Sequence, residues 1–361
     1  MAYNSIMDER SLATFFYELF TLYFRGFDSI PPPRLHYSDF SDWLLRTTDS
    51  HNWLRNNHLE FWAESLKDVQ TLQLTLVTPS SELLSPVSHI ETKIDPRTLE
   101  RYHALLREAK VMPFAGFFAV YNLLLFKYSS QASFVVGTPV PQPNLPELAK
   151  VVGFFTNILP IKTTIDVDQT FSQYLTAFNA DLMKSLENGD VAYEEILSQH
   201  EDRSPDRSPF NGYFAHVFAF GGMNLDALEE VVLDAAEELT SEDIQVQSIT
   251  PLPNVGHQYE VNLTVRDETG HLALQFDNHL LSEESARLLL NGYSILIRNL
   301  GCDPHIKICD ISATTRQYDC LGIQMSYAGE GVETKVFLKS VTPEVTKHKA
   351  INTNGNLMSV V

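Results

Sequence analysis

Cysteine is scarce in this chain of 361 residues, which contains only Cys302, Cys309 and Cys320. All three lie toward the C-terminal end, their number is odd, and no two of them form a CxxC pair. A disulfide framework needs paired cysteines, and structural zinc sites usually use CxxC pairs, so the sequence predicts neither. So few cysteines are typical of a protein in the reducing cytoplasm.

Basic clusters and long apolar runs are also lacking. Asp and Glu number 46 against 26 Lys and Arg, which gives a net charge of −20, and no basic run reaches five residues. This excludes the counterion release that drives nucleic acid binding and disfavours anionic membrane surfaces. The apolar run at 114–126 is too short to span a membrane, and the N-terminus MAYNSIMDERS has no signal-peptide core. We therefore expect a soluble cytoplasmic protein with no nucleic acid or membrane partner.

Common catalytic signatures are missing too. The sequence contains no GxSxG, P-loop, GxGxxG or HExxH motif, and its 12 histidines are scattered. His216 lies in an apolar stretch, YFAHVFAF, and is expected to be a hydrogen-bonded sheet residue rather than a catalyst. The residues predict no metal site and no bound cofactor.

Hydrophobic periodicity predicts a mixed α/β architecture. Ser11 is expected to cap the first helix, while Ser282 and Gly301 are expected to begin and end the last one. Helices are predicted at 11–24, 37–55, 99–110, 113–128, 171–186, 193–199 and 282–300. Strands are predicted at 71–77, 134–141, 153–165, 213–220, 244–249, 259–265 and 272–276.

Four separated segments resemble, in order, motifs of the condensation domains of nonribosomal peptide synthetases. YSDFSDW (37–43) is similar to the family's YxDYxxW, and VGFFTNILPIK (152–162) to its GxFVNTxxxR. NGDVAYE (188–194) loosely resembles HQDYPFE, and RSPDRSPF (203–210) resembles RDxSRNPL. The shorter matches FVVGTPV and QFDNHLLS extend the resemblance over about 6–311.

The family's defining HHxxxDG motif resembles YNSIMDE, residues 3–9. Asp8 matches its aspartate, which the resemblance makes a structural residue that fixes the loop through an ion pair. Tyr3 and Asn4 stand where the two histidines belong, and Glu9 replaces the glycine. An amide can orient an amine, but it cannot accept a proton from an ammonium group near neutral pH. We therefore expect the proton-transfer step at Asn4 to be impaired.

The resemblance implies the chloramphenicol-acetyltransferase-like condensation fold, mainly its C-terminal lobe, with a mixed sheet and flanking helices. Residues 1–70 would be a remnant of the N-terminal lobe with crossover helices, 71–311 the C-terminal lobe, and 312–361 a weakly structured tail. Aromatic side chains surround much of the predicted helix at 11–24, so we also expect this apolar face to cause self-association or poor solubility.

Further site residues follow from the resemblance. Trp43, Gly153, Asn157 and Lys162 would lie at the tunnel or the lobe junction. Trp43 and Trp62 could simply be core aromatics. Lys162 replaces an arginine and would lose its bidentate pairing, or it is a solvated lysine at a strand end.

The amide of Asn157 would line the tunnel or, as we favour, satisfy buried backbone groups. Arg203 and Arg207 would contact a carrier phosphate or, as we favour, form local solvated pairs.

The family joins a carrier-bound acyl donor to a carrier-bound amine, with both substrates on phosphopantetheine arms. The implied partners are peptidyl carrier proteins or synthetase modules. Three hypotheses remain open: a condensation enzyme completed by a partner chain, a non-catalytic relic that binds carriers or synthetases, and a truncated gene product.

Overall fold

The computed structural model describes residues 7–50, 52–69, 72, 74, 87–141, 146–148, 150–198, 216–221, 259–312, 337–338, 348–351 and 357–360. Its α-helices in these ranges are α1 (Glu9–Arg25), α2 (Tyr37–Ser50), α3 (Asn52–Ser65), α4 (Pro96–Ala109), α5 (Pro113–Ser129), α6 (Phe171–Glu187), α7 (Tyr193–Ser198) and α8 (Glu283–Cys302). Short 3-10 turns occur at Phe27–Ser29, Pro146–Leu148 and Ile308–Asp310.

The main sheet is mixed and has six strands in the order β1-β6-β5-β4-β2-β3. These strands are β1 (Val87–Lys93), β2 (Ser133–Pro141), β3 (Thr156–Thr164), β4 (His216–Phe220), β5 (Val261–Arg266) and β6 (His271–Asp277). Strand β4 is parallel to both of its neighbours, β2 and β5, and the remaining pairs are antiparallel. The predicted mixed sheet with flanking helices is therefore confirmed.

Helix α5 lies at the centre of the core because nearly its whole circumference is apolar. Residues 115–126 are all buried. Tyrosine hydroxyls of the neighbouring helices find hydrogen-bond acceptors in the backbone of α5. Tyr102 of α4 donates to the Gly116 carbonyl at 2.8 Å, and Tyr293 of α8 donates to the Phe117 carbonyl at 2.9 Å. These bonds let aromatic rings pack in the interior without leaving their hydroxyls unpaired.

The sheet presents one buried face to these helices. Side chains of β5 and β6 alternate between buried and half-buried, as expected for strands with one covered face. On β4, Phe218 stacks on Phe118 with ring centroids 4.7 Å apart. A small apolar cavity between α5, α8, β5 and β6 measures about 10 Å³, which is room for roughly one water molecule and not for a substrate.

Most predicted elements are confirmed, with different ends. Within the stretch predicted at 37–55, the residues that the structure describes are helical, and they belong to α2 and α3. Strand β3 begins at Thr156 rather than at 153. Helix α8 begins after the predicted cap Ser282, but Gly301 stays helical and the extended Asp303 ends the helix instead.

Strand β1 was not predicted. Its sequence, VSHIETK, has one fully buried side chain, Ile90, so its apolar signal is weak. It is a strand because β6 supplies a backbone ladder along its whole length. The strand predicted at 71–77 is wrong at Leu72 and Leu74, which have no strand conformation, and the rest of it lies outside the described residues. The predicted strand at 244–249 also lies outside them.

Within 312–361, the part predicted to be a weakly structured tail, the described residues include a second sheet. Its three antiparallel strands are β7 (Phe337–Leu338), β8 (His348–Ile351) and β9 (Leu357–Val360).

No single helix of the described ranges is long and apolar enough to cross a membrane. The consecutive helices α4 and α5 meet that length and composition only as a pair, with a bend of 109° between them.

His216 is an unusual core residue because it is fully buried at the start of β4. Neither ring nitrogen of His216 has a hydrogen-bond partner among the described residues. Within those residues, the expectation of a hydrogen-bonded histidine is wrong. Its Nε2 lies 3.9 Å from Oε2 of Glu260. Burial nevertheless lowers the pKa of His216 to about 4, since an imidazolium would lose its hydration there.

We predict that His216 makes the fold sensitive to acid. The unfolded chain takes up this proton near pH 6.5 and the folded chain only near pH 4, so stability falls as the pH drops between these values. Between pH 7.5 and pH 5, His216 should cost the fold about 2 kcal/mol. Urea unfolding of His216→Leu at both pH values should show a smaller loss than the wild type by this amount. The exposed control His305→Leu should lose as much as the wild type, and equal losses in all three proteins would contradict the prediction.

Candidate functional site

Asp8, the aspartate of the HHxxxDG-like segment, directly precedes helix α1. The backbone of Asp8 is extended, and its Oδ1 accepts a hydrogen bond from the Ser11 amide at 2.9 Å. Asp8 is therefore the N-cap, and the prediction that Ser11 fills this role is wrong. The reason is that α1 starts two residues earlier than the apolar periodicity indicates, at Glu9.

Asp8 also binds the chain segment that leads into β3. Its Oδ2 accepts a hydrogen bond from the Phe155 amide at 3.0 Å, and its own amide donates to the Gly153 carbonyl at 3.1 Å. These are hydrogen bonds with backbone groups; among the described residues Asp8 has no ion pair, in contrast to the one that the resemblance implies. One carboxylate thus starts a helix and fixes it to the body of the fold.

Ser11 does not cap the helix but binds the backbone of Gly153. It is fully buried, and its Oγ donates to the Gly153 carbonyl at 2.6 Å while accepting from the Gly153 amide at 3.0 Å. Both backbone groups of one glycine are thereby satisfied by one side chain of α1. Sequence analysis missed this contact, although a serine three residues after the motif aspartate lies on the first helical turn, where it can reach a neighbouring segment.

Tyr37, the first residue of α2, binds the same segment. Its hydroxyl donates to the Phe154 carbonyl at 2.8 Å. A Cβ on Gly153 would collide with ring carbon Cδ2 of Tyr37, so only glycine allows this approach. Burial, and next the negative charge of Asp8, raise the pKa of Tyr37. We call Asp8, Ser11, Tyr37 and residues 153–155 the Asp8 joint.

A separate apolar cluster lies beneath the joint. Its buried members are Phe40, Leu148, Val151 and Phe155. Trp43 stacks on Phe40 at 6.1 Å but remains 46% exposed, so the core-aromatic alternative for Trp43 is wrong. Trp62 is 1% exposed and belongs to the main core, as that alternative predicted.

The guanidinium of Arg10 lies 5.2 Å above the ring of Phe155. This contact adds a cation–π interaction to the joint.

Asn157, two residues after the joint, holds the loop between α6 and α7. Its Nδ2 donates to the carbonyls of Gly189 at 3.2 Å and Val191 at 2.9 Å. The indole of Trp62 donates to the carbonyl of Asn188, which directly precedes Gly189, at 2.8 Å. This geometry favours the reading of Asn157 as an amide that satisfies backbone groups, and its tunnel-lining role stays a prediction.

Lys162 lies within β3 rather than at its end. Its Nζ donates to the carbonyl of Lys67, just beyond α3, at 3.4 Å. An ion pair between Arg55 and Glu195, 2.8 Å apart and about one third exposed, joins α3 to α7. Lys162 thus contacts the loop after α3, and the structure does not bring it to the Asp8 joint.

Three predicted site residues, Asn4, Arg203 and Arg207, lie outside the described residues. Of the others, Asp8 and Gly153 belong to the joint, Trp43 borders it, and Asn157 lies next to it. Within the described ranges no three metal-ligating side chains come together. The hydrogen bonds of Asp8, Ser11 and Tyr37 in the joint go to backbone groups, so the joint fixes the starts of α1 and α2 to the segment before β3.

We predict that Gly153→Ala destabilises the protein by about 1–3 kcal/mol, because the new methyl group overpacks against Tyr37. Urea unfolding checks this. Gly301→Ala is the matched control, since a Cβ there meets its nearest neighbour at an ordinary 3.6 Å and alanine suits a helix. Adding Tyr37→Ala to Gly153→Ala should remove the clash, so the two changes should cost less together than their sum. Equal stabilities of Gly153→Ala and Gly301→Ala would contradict this account.

Comparison with known proteins agrees with the motifs. A family model described as "Condensation domain" matches residues 5–317. Gramicidin S synthase 2 of Aneurinibacillus migulanus is 23% identical over 86% of this chain, and surfactin synthase subunit 2 of Bacillus subtilis is 22% identical over 91% of it. The chain spans only 7% and 9% of the lengths of these synthetases.

Solved condensation folds are also similar. The condensation domain of the Monacolin K polyketide synthase MokA has a TM-score of 0.65 at 18% identity, over 84% of this chain and 69% of that one. The X-domain from teicoplanin biosynthesis, in a complex with OxyB, has a TM-score of 0.69 at 18% identity, over 87% of this chain and 69% of that one. By its family match, its motifs and its fold, the chain belongs to the condensation-domain family of nonribosomal peptide synthetases.

Proposed function

We propose that this chain binds carrier-borne substrates in nonribosomal peptide synthesis but does not by itself form the amide bond. The observation that carries the proposal is the contrast within one motif. Asp8 keeps a full set of hydrogen bonds to Gly153 and Phe155, whereas Asn4, four residues earlier, stands where the family has a histidine. The motif's aspartate is therefore anchored, whereas the residue at the position of the family's histidine cannot act as a base.

The chemistry explains why this loss matters. In the family reaction an amine attacks a thioester carbonyl, the C–N bond forms, the C–S bond breaks, and the amine must give up a proton. Histidine suits proton transfer near neutral pH, and general base catalysis typically contributes about 10²–10⁴-fold in rate. An asparagine side chain can hold the amine by a hydrogen bond, which leaves only the contribution of positioning.

A binding role has two lines of support. A condensation-like fold can hold a second protein, since the X-domain occurs in a complex with OxyB. Arg203 and Arg207 would supply local positive charge for the phosphate of a phosphopantetheine arm on a chain whose net charge is −20. Local solvated pairs of these two arginines are the alternative. The partner in this proposal is a peptidyl carrier protein or a synthetase module.

The test uses the purified chain with two carrier proteins, one carrying an acyl group and the other an aminoacyl group on phosphopantetheine. We expect native mass spectrometry to detect a complex with a loaded carrier, and product analysis to detect no amide above the carrier-only background. Asn4→His should also stay inactive, because the family's tunnel lies between two lobes and the chain tested would supply mainly the C-terminal one. The exposed Asn57→His is the matched control.

Turnover by the wild-type chain would contradict the loss of activity. Absence of any complex with loaded carriers would contradict the binding role. Turnover by Asn4→His alone would show that the histidine is the only missing part.

We also propose that the chain self-associates through its N-terminal helices. Phe15, Tyr17 and Tyr23 of α1 are 42%, 53% and 67% exposed, and Trp53 of α3 is 65% exposed. Exposed apolar groups of this density usually mark an interface. Sedimentation velocity should show a mass that rises with concentration. Tyr17→Glu should reduce this association, whereas Leu280→Glu, at a 45% exposed position of the body, should not. A monomer at all concentrations would contradict the proposal.

A further inference from the structure

The chain that follows α8 runs back across the start of α6. Residues 304–311 lie against residues 167–172, and an antiparallel bridge joins the two segments. The amide of Ile308 donates to a carbonyl of the second segment at 3.0 Å, and the amide of Cys309 donates to another at 3.1 Å. Residues 304–311 therefore act as a short added strand, outside the main sheet.

The same segment satisfies the first amides of α6. A helix leaves the amides of its first turn without a partner inside the helix. In α6, the Phe171 amide donates to the carbonyl of Ile306 at 3.0 Å. The Ser172 amide donates to the carbonyl of Pro304 at 2.8 Å. Residues 304–311 thus supply acceptors at the positive end of the α6 dipole.

Lys127, in the last turn of α5, binds this segment from the core. Its half-buried Nζ donates to the carbonyl of Ile308 at 2.7 Å. Burial lowers the pKa of Lys127, and the nearby Cys309 and Asp310 oppose this shift. Ile308 is fully buried and Ile311 is 5% exposed, and both belong to the main core. A hydrogen bond from a charged donor and two buried isoleucines therefore hold the segment to the body of the fold.

We infer that residues 304–311 form a strap that locks the start of α6 to the core, with Lys127 as its fastening residue. The backbone bonds of the strap hold the start of α6, while its isoleucines and the bond from Lys127 hold the strap itself. Loss of the Lys127 bond therefore loosens two stretches that are far apart in the sequence, 167–172 and 304–311, together. This inference concerns the fold alone and does not rest on the proposed function.

Hydrogen exchange of the full-length chain, resolved to single amides by fragmentation mass spectrometry, tests the strap. In the wild type, the four amides that join the strap to α6 and the segment before it should exchange slowly and at similar rates. These are the amides of Phe171, Ser172, Ile308 and Cys309. Lys127→Met keeps the apolar stem but removes the donor. It should accelerate all four amides about tenfold and leave the amides of β5 and β6 within about twofold, the scale of one lost charged hydrogen bond that acts locally.

Lys184→Met is the matched control, because Lys184 lies in α6 but is exposed and pairs with Asp181 of the same helix. It should leave the four amides within about twofold of their wild-type rates, as expected for a surface substitution. The inference is overturned if the four wild-type amides exchange as fast as those of an unprotected loop, a result that depends on no variant. It is also overturned if Lys127→Met leaves them unchanged, or if it accelerates β5 and β6 equally, since Lys127 would then stabilise the whole fold.

Discussion

The hydrogen bonds of the Asp8 carboxylate decide how the N-terminal helices meet the rest of this protein. One oxygen starts α1 and the other holds the amide of Phe155, so a single side chain links a helix end to the start of β3. Ser11 and Tyr37 satisfy the neighbouring backbone groups of residues 153 and 154. Bonds to a charged acceptor are the stronger kind, so those of Asp8 contribute strongly to this contact.

The segment that leads into β3 also contacts two of the sequence motifs. The Phe155 amide donates to Asp8, and two residues later the Asn157 side chain donates to the loop between α6 and α7. The start of β3 thus connects two segments that the sequence marks as separate motifs. The core behind it depends on other forces, chiefly the burial of α5 and α8 against the sheet.

The sequence predicts the elements that have a strong hydrophobic periodicity. It does not predict those whose conformation depends on tertiary contacts. Helices α5 and α8 and strand β2 carry an apolar pattern that indicates their conformation locally. Strand β1 has little such pattern and depends on its ladder with β6. The motif resemblance points to Asp8 and Gly153, but it gives no hint that Ser11 would bind the glycine or that Trp43 would be exposed. Those outcomes depend on which segments meet across more than a hundred residues, which local periodicity does not encode.

The central claim is that the Asp8 joint acts as one unit, and a double-mutant cycle tests it most directly. Asp8→Ala and Tyr37→Phe remove bonds to adjacent residues, 155 and 154, from two different helices. If the joint is one unit, the free energies of unfolding of the two single variants and the double variant should show a coupling of about 1 kcal/mol or more. Additive effects, with a coupling below about 0.3 kcal/mol, would contradict the claim.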